Sequence, residues 1–518
     1  MHYHYPLKIV SFCMLILGII NSPVCTDFSN SSSSDADSLS NCSDLPQIIS
    51  RKQLVVLTDN SSTSYFIYKG EPMGYEYEML QSFAKSIHVD LKIIVAKNMN
   101  EIFNLLRKGR VDIVAANLTV TEDRMQKVNF TEPLIYARQI LIQRKPDKWR
   151  NMSEEKINEH LVRTTIDLSE KNIYVRKGSS FYARLINLQE EIAAKINITE
   201  VQGETTTEEL IAMVANGKIS YTIADENVAM VNQSYYPEID IKTAISFPQK
   251  IAWAVNKNSP LLLSALNNWI GNQKNTAEYA VIYNKYFKSP KSAGQRNESE
   301  FSSIAGNKIS IYDDMIVTYS NEIGWDWRLL ASMIYQESRF NPDAQSWAGA
   351  CGLMQLIPST ALQYGIDTCG ATPIASIDAG SRHIIKLDNY WSKFIIHKDE
   401  RIKFVLASYN AGLGHVIDSR NLAKKYGKNP DVWFNNVETF IRLKSKPKYY
   451  NDPIVRCGYC RGDEPYKYVR EIIVRYQHYK NTIAPSNSPE GGEQTGVYSI
   501  PPSGGGGLFD RTYILIHL

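Results

Sequence analysis

Seven cysteines in 518 residues are too few for a disulfide-built scaffold, so the core has to come from ordinary side-chain packing. Charge of one sign is also scarce. The 57 Lys and Arg against 54 Asp and Glu leave +3, which excludes the basic field of a dedicated nucleic-acid binder. Apolar runs long enough for repeated membrane crossing are missing. The run from Ile9 to Ile20 is mostly apolar over twelve residues, short of the ~20 that a spanning helix needs. What is present is ordinary for a soluble globular chain, 43% hydrophobic and 21% charged, which also excludes wholesale disorder. At ~100–200 residues per domain the length suits about three domains.

Composition divides the chain. Lys8 followed by Ile9 to Ile20 suits the charged and apolar regions of a signal peptide over residues 1–25. A buried core helix is the alternative, but a Ser-rich tract follows instead of a fold. Cys25 ends the segment and could carry a lipid, although Ser22-Pro23-Val24 match the usual lipobox poorly. Residues 26–50, rich in Ser, Asn and Asp, read as a linker with too little apolar surface to offset ordering entropy. A second linker spans 289–306, where Pro290 and Gly294 sit without an aliphatic cluster. Residues 481–518 form a low-complexity tail that includes four consecutive glycines. Two folded regions remain, 51–288 and 307–480.

In the first region Leu54 to Leu57 and Leu91 to Val95 are short, β-branched apolar runs, as buried strands are. Between them Tyr77, Leu80, Ala84 and Ile87 recur at helical spacing. One pattern then appears twice. A helical stripe from Ile102 to Leu106 ends at Gly109 before the strand Val111 to Ala115, and a stripe from Leu210 to Val214 ends at Gly217 before Ile219 to Ala224. Glycine just past a helix, followed by a strand, is an αβ turn, because glycine takes the left-handed conformation without a Cβ penalty. Two copies predict two similar α/β lobes with a ligand crevice at the carboxyl ends of their strands.

These residues carry a resemblance. Gly70-Glu71-Pro72-Met73-Gly74-Tyr75-Glu76, Gly109-Arg110-Val111-Asp112-Ile113, Leu118-Thr119-Val120-Thr121-Glu122-Asp123-Arg124 and Asn129-Phe130-Thr131-Glu132-Pro133 resemble, in order, the family-3 solute-binding proteins, a periplasmic class for polar amino acids. The resemblance implies that Thr119 and Arg124 hold a ligand carboxylate and that Asp225 holds an amino group. The chemistry fits, since a guanidinium grips a carboxylate bidentately and a desolvated cleft strengthens the pair. The plainer readings are a solvated Arg124 and an Asp225 that caps the next helix.

In the second region Ile311, Met315, Ile316, Tyr319 and Ile323 trace an amphipathic helix that Gly324 ends, and Asp326 can cap the next one. There Leu330, Met333, Ile334 and Glu337 fall at i, i+3, i+4 and i+7, so Glu337 extends the apolar face near the stop at Asn341-Pro342. A carboxyl held there is partly desolvated, which raises its pKa and suits a general acid for a glycosidic oxygen. Helix-terminal glutamates otherwise face water.

The flanking segments are Glu337-Ser338-Arg339-Phe340-Asn341-Pro342, Gly349-Ala350-Cys351-Gly352-Leu353-Met354-Gln355, Ala407-Ser408-Tyr409-Asn410-Ala411-Gly412 and Tyr468-Val469-Arg470-Glu471. They resemble the soluble lytic transglycosylase domain, a relative of goose-type lysozyme. A two-lobed domain followed by this one resembles the membrane-bound lytic murein transglycosylases. The fold implied is multidomain, an α/β periplasmic-binding-protein-like domain and then a mainly α, lysozyme-like domain. The resemblance implies Glu337 as catalytic acid/base, with Ser346, Met354, Gln355, Tyr409, Asn410, Glu464 and Tyr468 contacting the saccharide. For Met354, Gln355, Tyr409 and Tyr468 packing is the plainer role. Cys351 and Pro465 depart from the family's usual residues, and the second leaves Glu464 less secure.

Ordinary glycosidases use two carboxylates, about 5–5.5 Å or about 6.5–9.5 Å apart. The motifs supply one. The family's chemistry lets one suffice: Glu337 protonates the β-1,4 oxygen between N-acetylmuramic acid and N-acetylglucosamine, and the muramic acetamido oxygen stabilises the cation. Glu337 then deprotonates the C6 hydroxyl, closing a 1,6-anhydro ring without water, metal or cofactor. A lysozyme-type muramidase and a non-catalytic murein- or solute-binding protein are the competing functions. The expected partners are peptidoglycan strands and a small amino-acid or muropeptide ligand in the amino-terminal domain, with peripheral or lipid-anchored membrane association and no nucleic acid. The expected location is the periplasm, at the outer membrane. Cys351, Cys369, Cys457 and Cys460 read as two disulfides, with a four-cysteine zinc site as the alternative.

Overall fold

The computed structural model describes residues 43–485, apart from 97, 98, 100, 203, 204, 290–295, 297, 298, 305, 307 and 367–369. The expected export segment, Cys25, most of the first linker and the carboxyl-terminal tail beyond 485 lie outside the described residues. The first linker ends sooner than residue 50, because Leu45–Arg51 is a helix, α1. Asp44 caps it in a capping box with Gln47, and the same carboxylate accepts from the backbone of Leu262 at 2.7 Å. That cap ties α1 to the following domain.

The predicted repeat is present. The first lobe's sheet runs in the order Asp90–Val95, Gln53–Thr58, Ile113–Ala115, Ala254–Val255, Asn129–Phe130. The second runs Asn197–Val201, Asn172–Arg176, Tyr221–Asp225, Gln139–Arg144, Ile239–Asp240. In each sheet three parallel strands are followed by one antiparallel strand and a fifth that runs with the first three. Helices α2 (Tyr75–Ser86), α3 (Ile102–Arg107) and α4 (Glu122–Lys127) belong to the first lobe, and α5 (Thr207–Ala215) and α6 (Glu226–Gln233) to the second. Gly109 and Gly217 follow α3 and α5 at φ +63° and +71°, as the αβ turns require. The chain crosses between lobes through Ile135–Ala137 and Gln249–Ile251, which pair antiparallel as a hinge.

The second domain is helical. α7 (Asp313–Ile323) ends at Gly324 in the left-handed conformation, and Asp326 caps α8 (Trp327–Ser338) by accepting from the Arg328 backbone at 2.9 Å. Every residue of α8 from Trp327 to Tyr335 is buried, so it is the central helix. Around it stand α9 (Pro373–Trp391), α10 (Lys398–Ala411), α11 (Leu413–Lys425) and α12 (Asp463–Thr482), with α12 packed along α8.

The two domains are not beads on a string. One apolar cluster runs continuously from Leu54 and Phe83 in the first lobe to Met333 and Val469 in the helical domain. The far end of α12 docks on the first lobe. His478 Nδ1 and the Tyr65 hydroxyl share a hydrogen bond of 2.7 Å, Tyr479 donates to the Gly70 carbonyl at 2.8 Å, and Asn481 donates to the Ile93 carbonyl at 2.8 Å. Burial pushes the His478 pKa down to about 4, so this junction holds a neutral imidazole. From α8, the Tyr335 hydroxyl donates to the Glu71 carboxylate. Part of the expected second linker also joins in, because Phe301 and Ser303 bond the backbone of Lys69 and Ile67 at 2.9 Å each.

Gly70 explains the close approach. Its φ is +82°, and a Cβ there would lie 2.7 Å from both the Tyr335 ring and the Tyr479 hydroxyl. Gly70→Ala therefore combines backbone strain with overpacking at the junction, and it should cost about 2–4 kcal/mol. The check is a lowered thermal midpoint with faster proteolysis between the domains. An unchanged midpoint would mean that the junction is looser than described.

Candidate functional site

Glu337 sits on the last turn of α8, above buried Leu330, Met333 and Ile334. Arg339 and Phe340 follow at φ +52° and +61°, which turns the chain away and leaves Glu337 facing a groove of about 1160 Å³. Tyr468, from α12, donates its hydroxyl to the Glu337 carboxylate. Burial raises the Glu337 pKa to about 8, the Tyr468 hydrogen bond pulls it down, and the Glu464 charge pushes it up. Desolvation prevails, so the carboxyl is protonated at neutral pH. Tyr409, at the end of α10, donates to the Met354 carbonyl at 2.8 Å; burial and then the Glu337 charge hold its own pKa well above the ordinary value.

Ser346, Gln355, Tyr409, Asn410, Glu464 and Tyr468 all line this groove with Glu337. Gln355 adopts φ +46°, and its side chain donates to the carbonyls of Ala344 at 2.8 Å and Gly352 at 2.9 Å, which holds the floor rigid. Met354 is the exception. Its side chain is fully buried and packs over Gly380, where a Cβ would lie 2.5 Å away, so the expected saccharide contact is corrected to packing beneath the floor. Sequence reasoning missed His383, which also lines the groove, bonds the Tyr364 hydroxyl at 3.0 Å and is held neutral by burial, with its pKa near 4. A lone histidine in a helical stripe carries no signal of that role.

The cleft between the lobes gathers the other candidates. Thr119 and Arg124 come from the first lobe and Asp225 from the second, and all three line a cavity of about 60 Å³. Arg124 is buried, and among the described residues no carboxylate is bonded to it. It donates to the Thr119 carbonyl at 2.8 Å and to Gly178 across the cleft at 3.3 Å. Asp225 begins α6, yet its side chain makes no cap bond. It accepts from Asn117 of the opposite lobe at 2.8 Å, while its other oxygen is buried with no hydrogen-bond partner. Burial raises its pKa to about 7 against the lowering pull of Arg124. A buried pair of Asp59 and Arg176, joined at 2.6 Å, also bridges the lobes. Its signal was available, because Asp59 directly follows a strand at its carboxyl end.

Cys351 is disulfide-bonded, which takes it out of a four-cysteine zinc site. Cys369 lies outside the described residues. Cys457 and Cys460, both counted among two expected disulfides, are free thiols. Cys460 turns into the core while Cys457 stays exposed beside Gly414, and a disulfide needs the two Cβ vectors to face each other.

A two-lobed α/β module joined to a helical groove with one protonated carboxyl defines the class, a murein lytic transglycosylase with a solute-binding-like amino-terminal domain. Residues 54–289 match the family described as bacterial extracellular solute-binding proteins, family 3, and residues 314–432 match the transglycosylase SLT domain. The chain is 34% identical over 433 residues to membrane-bound lytic murein transglycosylase F of Desulfosudis oleivorans, covering 83% of this chain and 91% of that one. It is 33% identical over 438 residues to the protein of the same name from Photobacterium profundum, covering 84% and 82%. A solved ancestral arginine-binding protein bound to arginine aligns with 46% of this chain and 99% of its own, at 22% identity and a TM-score of 0.39. The chain belongs to the membrane-bound lytic murein transglycosylase F family.

Deprotonation of a general acid sets the alkaline limb of a pH–rate profile. A mechanism that needs protonated Glu337 loses kcat/KM as pH rises through about 8. Tyr468→Phe removes a bond that favours the carboxylate, so the limb should move to higher pH, with kcat lowered about 10–100-fold. Glu464→Gln removes a charge that disfavours the carboxylate, so the limb should move lower. Profiles of kcat/KM on solubilised glycan strands check both, and shifts of one sign in both variants would contradict this electrostatic account.

Proposed function

We propose that Glu337 is the acid/base of this peptidoglycan lytic transglycosylase. The observation that carries the reading is one neutral carboxyl, bonded by Tyr468, at the floor of a long groove. As acid it protonates the β-1,4 oxygen between N-acetylmuramic acid and N-acetylglucosamine, and the muramic acetamido oxygen stabilises the oxocarbenium-like centre. As base it takes the C6 proton while O6 closes on C1, leaving a 1,6-anhydro end. Ser346, Gln355, Asn410 and Glu464 contact the strand, and Tyr409 and Tyr468 hold the reacting region.

The protein is associated with the cell envelope, and no described helix is long and apolar enough to cross a membrane. Our reading places it in the periplasm at the outer membrane, exported by residues 1–25, with the first domain reaching back to α1 and the second running to the end of α12. In its cleft Arg124 and Thr119 take a carboxylate and Asp225 takes an amino group of a small amino-acid or muropeptide ligand. Three features support this: a buried guanidinium bonded to no carboxylate, an aspartate oxygen without a partner, and a hinge. The remaining 60 Å³ suits only a few waters, so a ligand enters with the lobes apart. The same α8 and α12 that hold Glu337 and Tyr468 dock on the first lobe, which gives lobe motion a route to the active site.

Digestion of purified sacculi followed by mass spectrometry tests the chemistry. Wild-type protein should yield anhydromuramyl ends, and Glu337→Gln should be at least about a thousandfold slower. Reducing ends would make the enzyme a muramidase. For the cleft, a muropeptide that raises the wild-type thermal midpoint should lose at least about tenfold in affinity against Arg124→Ala. Equal affinity for both proteins would remove Arg124 from the ligand site.

A further inference from the structure

We infer that Trp347 is a stacking platform for a pyranose ring of the glycan strand, a substrate-binding residue away from the proton-transfer centre. The inference rests on the groove being the saccharide site. Trp347 is 96% exposed, whereas each of the other seven tryptophans is buried or half-buried. An indole that could pack in a core and instead stands in water is an exception that folding does not explain. It lines the same groove as Glu337.

Its support is rigid. The Gly349 backbone donates to the Ser346 carbonyl at 3.0 Å and closes a four-residue turn with Trp347 at the second position. Ser346 donates to the Ala350 carbonyl at 2.8 Å, and its hydroxyl oxygen accepts from the Ala350 backbone at 3.0 Å. Gly349 supplies the φ of +78° that the turn needs, and below it Cys351 is disulfide-bonded and bridged to both Gln345 and Leu356. A large aromatic on a stiff turn loses little entropy when a ligand covers it.

The occupant follows from the place. A pyranose chair presents C–H groups on one face and hydroxyl and acetamido groups at its edge, so the face suits the electron-rich indole surface while the edge needs polar partners. The groove supplies those partners, among them Asn389, Asn410, Lys386 and Lys393. The groove is continuous with the Glu337 carboxyl, as a linear strand requires.

Full-length Trp347→Ala and Trp347→Phe should be compared with wild type on solubilised glycan strands, with Glu337→Gln as the inactive reference. Trp347→Ala should raise KM about tenfold, equivalent to ~1.4 kcal/mol. Its kcat should fall much less, and Trp347→Phe should recover most of the KM. The inference is overturned by an unchanged KM, by equal loss in both variants, or by loss of binding to phosphatidylethanolamine–phosphatidylglycerol vesicles with the KM on glycan intact. Cleavage by Glu337→Gln would sink the groove reading itself, whatever Trp347 does. An inactive Glu337→Gln beside an unaffected Trp347→Ala sinks only this inference.

Discussion

A carboxyl forced out of water at the end of one helix and bonded by a phenol from another sets the terms for the rest of the molecule. Glu337 stays protonated because desolvation of its carboxyl outweighs the Tyr468 hydrogen bond, at the end of a helix buried from Trp327 to Tyr335. Tyr468 can reach it only because α12 runs along α8. The same two helices also reach the first lobe, through Tyr335, His478 and Tyr479. On α8 the junction and the groove carboxyl lie two residues apart, at Tyr335 and Glu337, while α12 meets the groove with Tyr468 and the first lobe with His478 and Tyr479. At the junction burial keeps His478 neutral, while Tyr335 and Arg339 meet the Glu71 carboxylate.

The amino-terminal cleft uses the same physics with a different balance. Asp225 and Glu337 are both buried acids with raised pKa values, and desolvation is the first cause for each. Asp225 faces a guanidinium across the cleft and leaves one oxygen without a partner, whereas Glu337 faces a phenol and open groove. The first arrangement suits a ligand that brings its own charges. The second suits a proton that is given and taken back.

Much of this was legible along the chain. The glycines after α3 and α5 marked the repeat, and the strands that follow, Ile113–Ala115 and Tyr221–Asp225, overlap the expected Val111 to Ala115 and Ile219 to Ala224. The helical spacing of Leu330, Met333, Ile334 and Glu337 put the carboxyl on the buried face, and the motif words supplied the chemistry that spacing alone left open. The misreadings share a cause. Met354 belonged to the right segment, but which of two adjacent side chains faces the groove depends on the turn at Gln355 and on the room left by Gly380. Cys457 and Cys460 had the spacing of a bridge, but the backbone between them aims one thiol inward and the other out. Gly70 read as part of a binding-domain motif, while its closest neighbours are Tyr335 and Tyr479, hundreds of residues away.

The sequence by itself determined the domain order, the α/β repeat and the helical second domain. These follow from periodicity, caps and turn residues, each of which reports on its own few neighbours. Only the tertiary structure decided that the two domains share one core, that Tyr468 is the group that holds Glu337, and that the cleft leaves an aspartate oxygen unpaired. It also decided that one tryptophan stands in water while seven are covered. Desolvation and long-range pairing set all of these, and both depend on which distant surfaces meet.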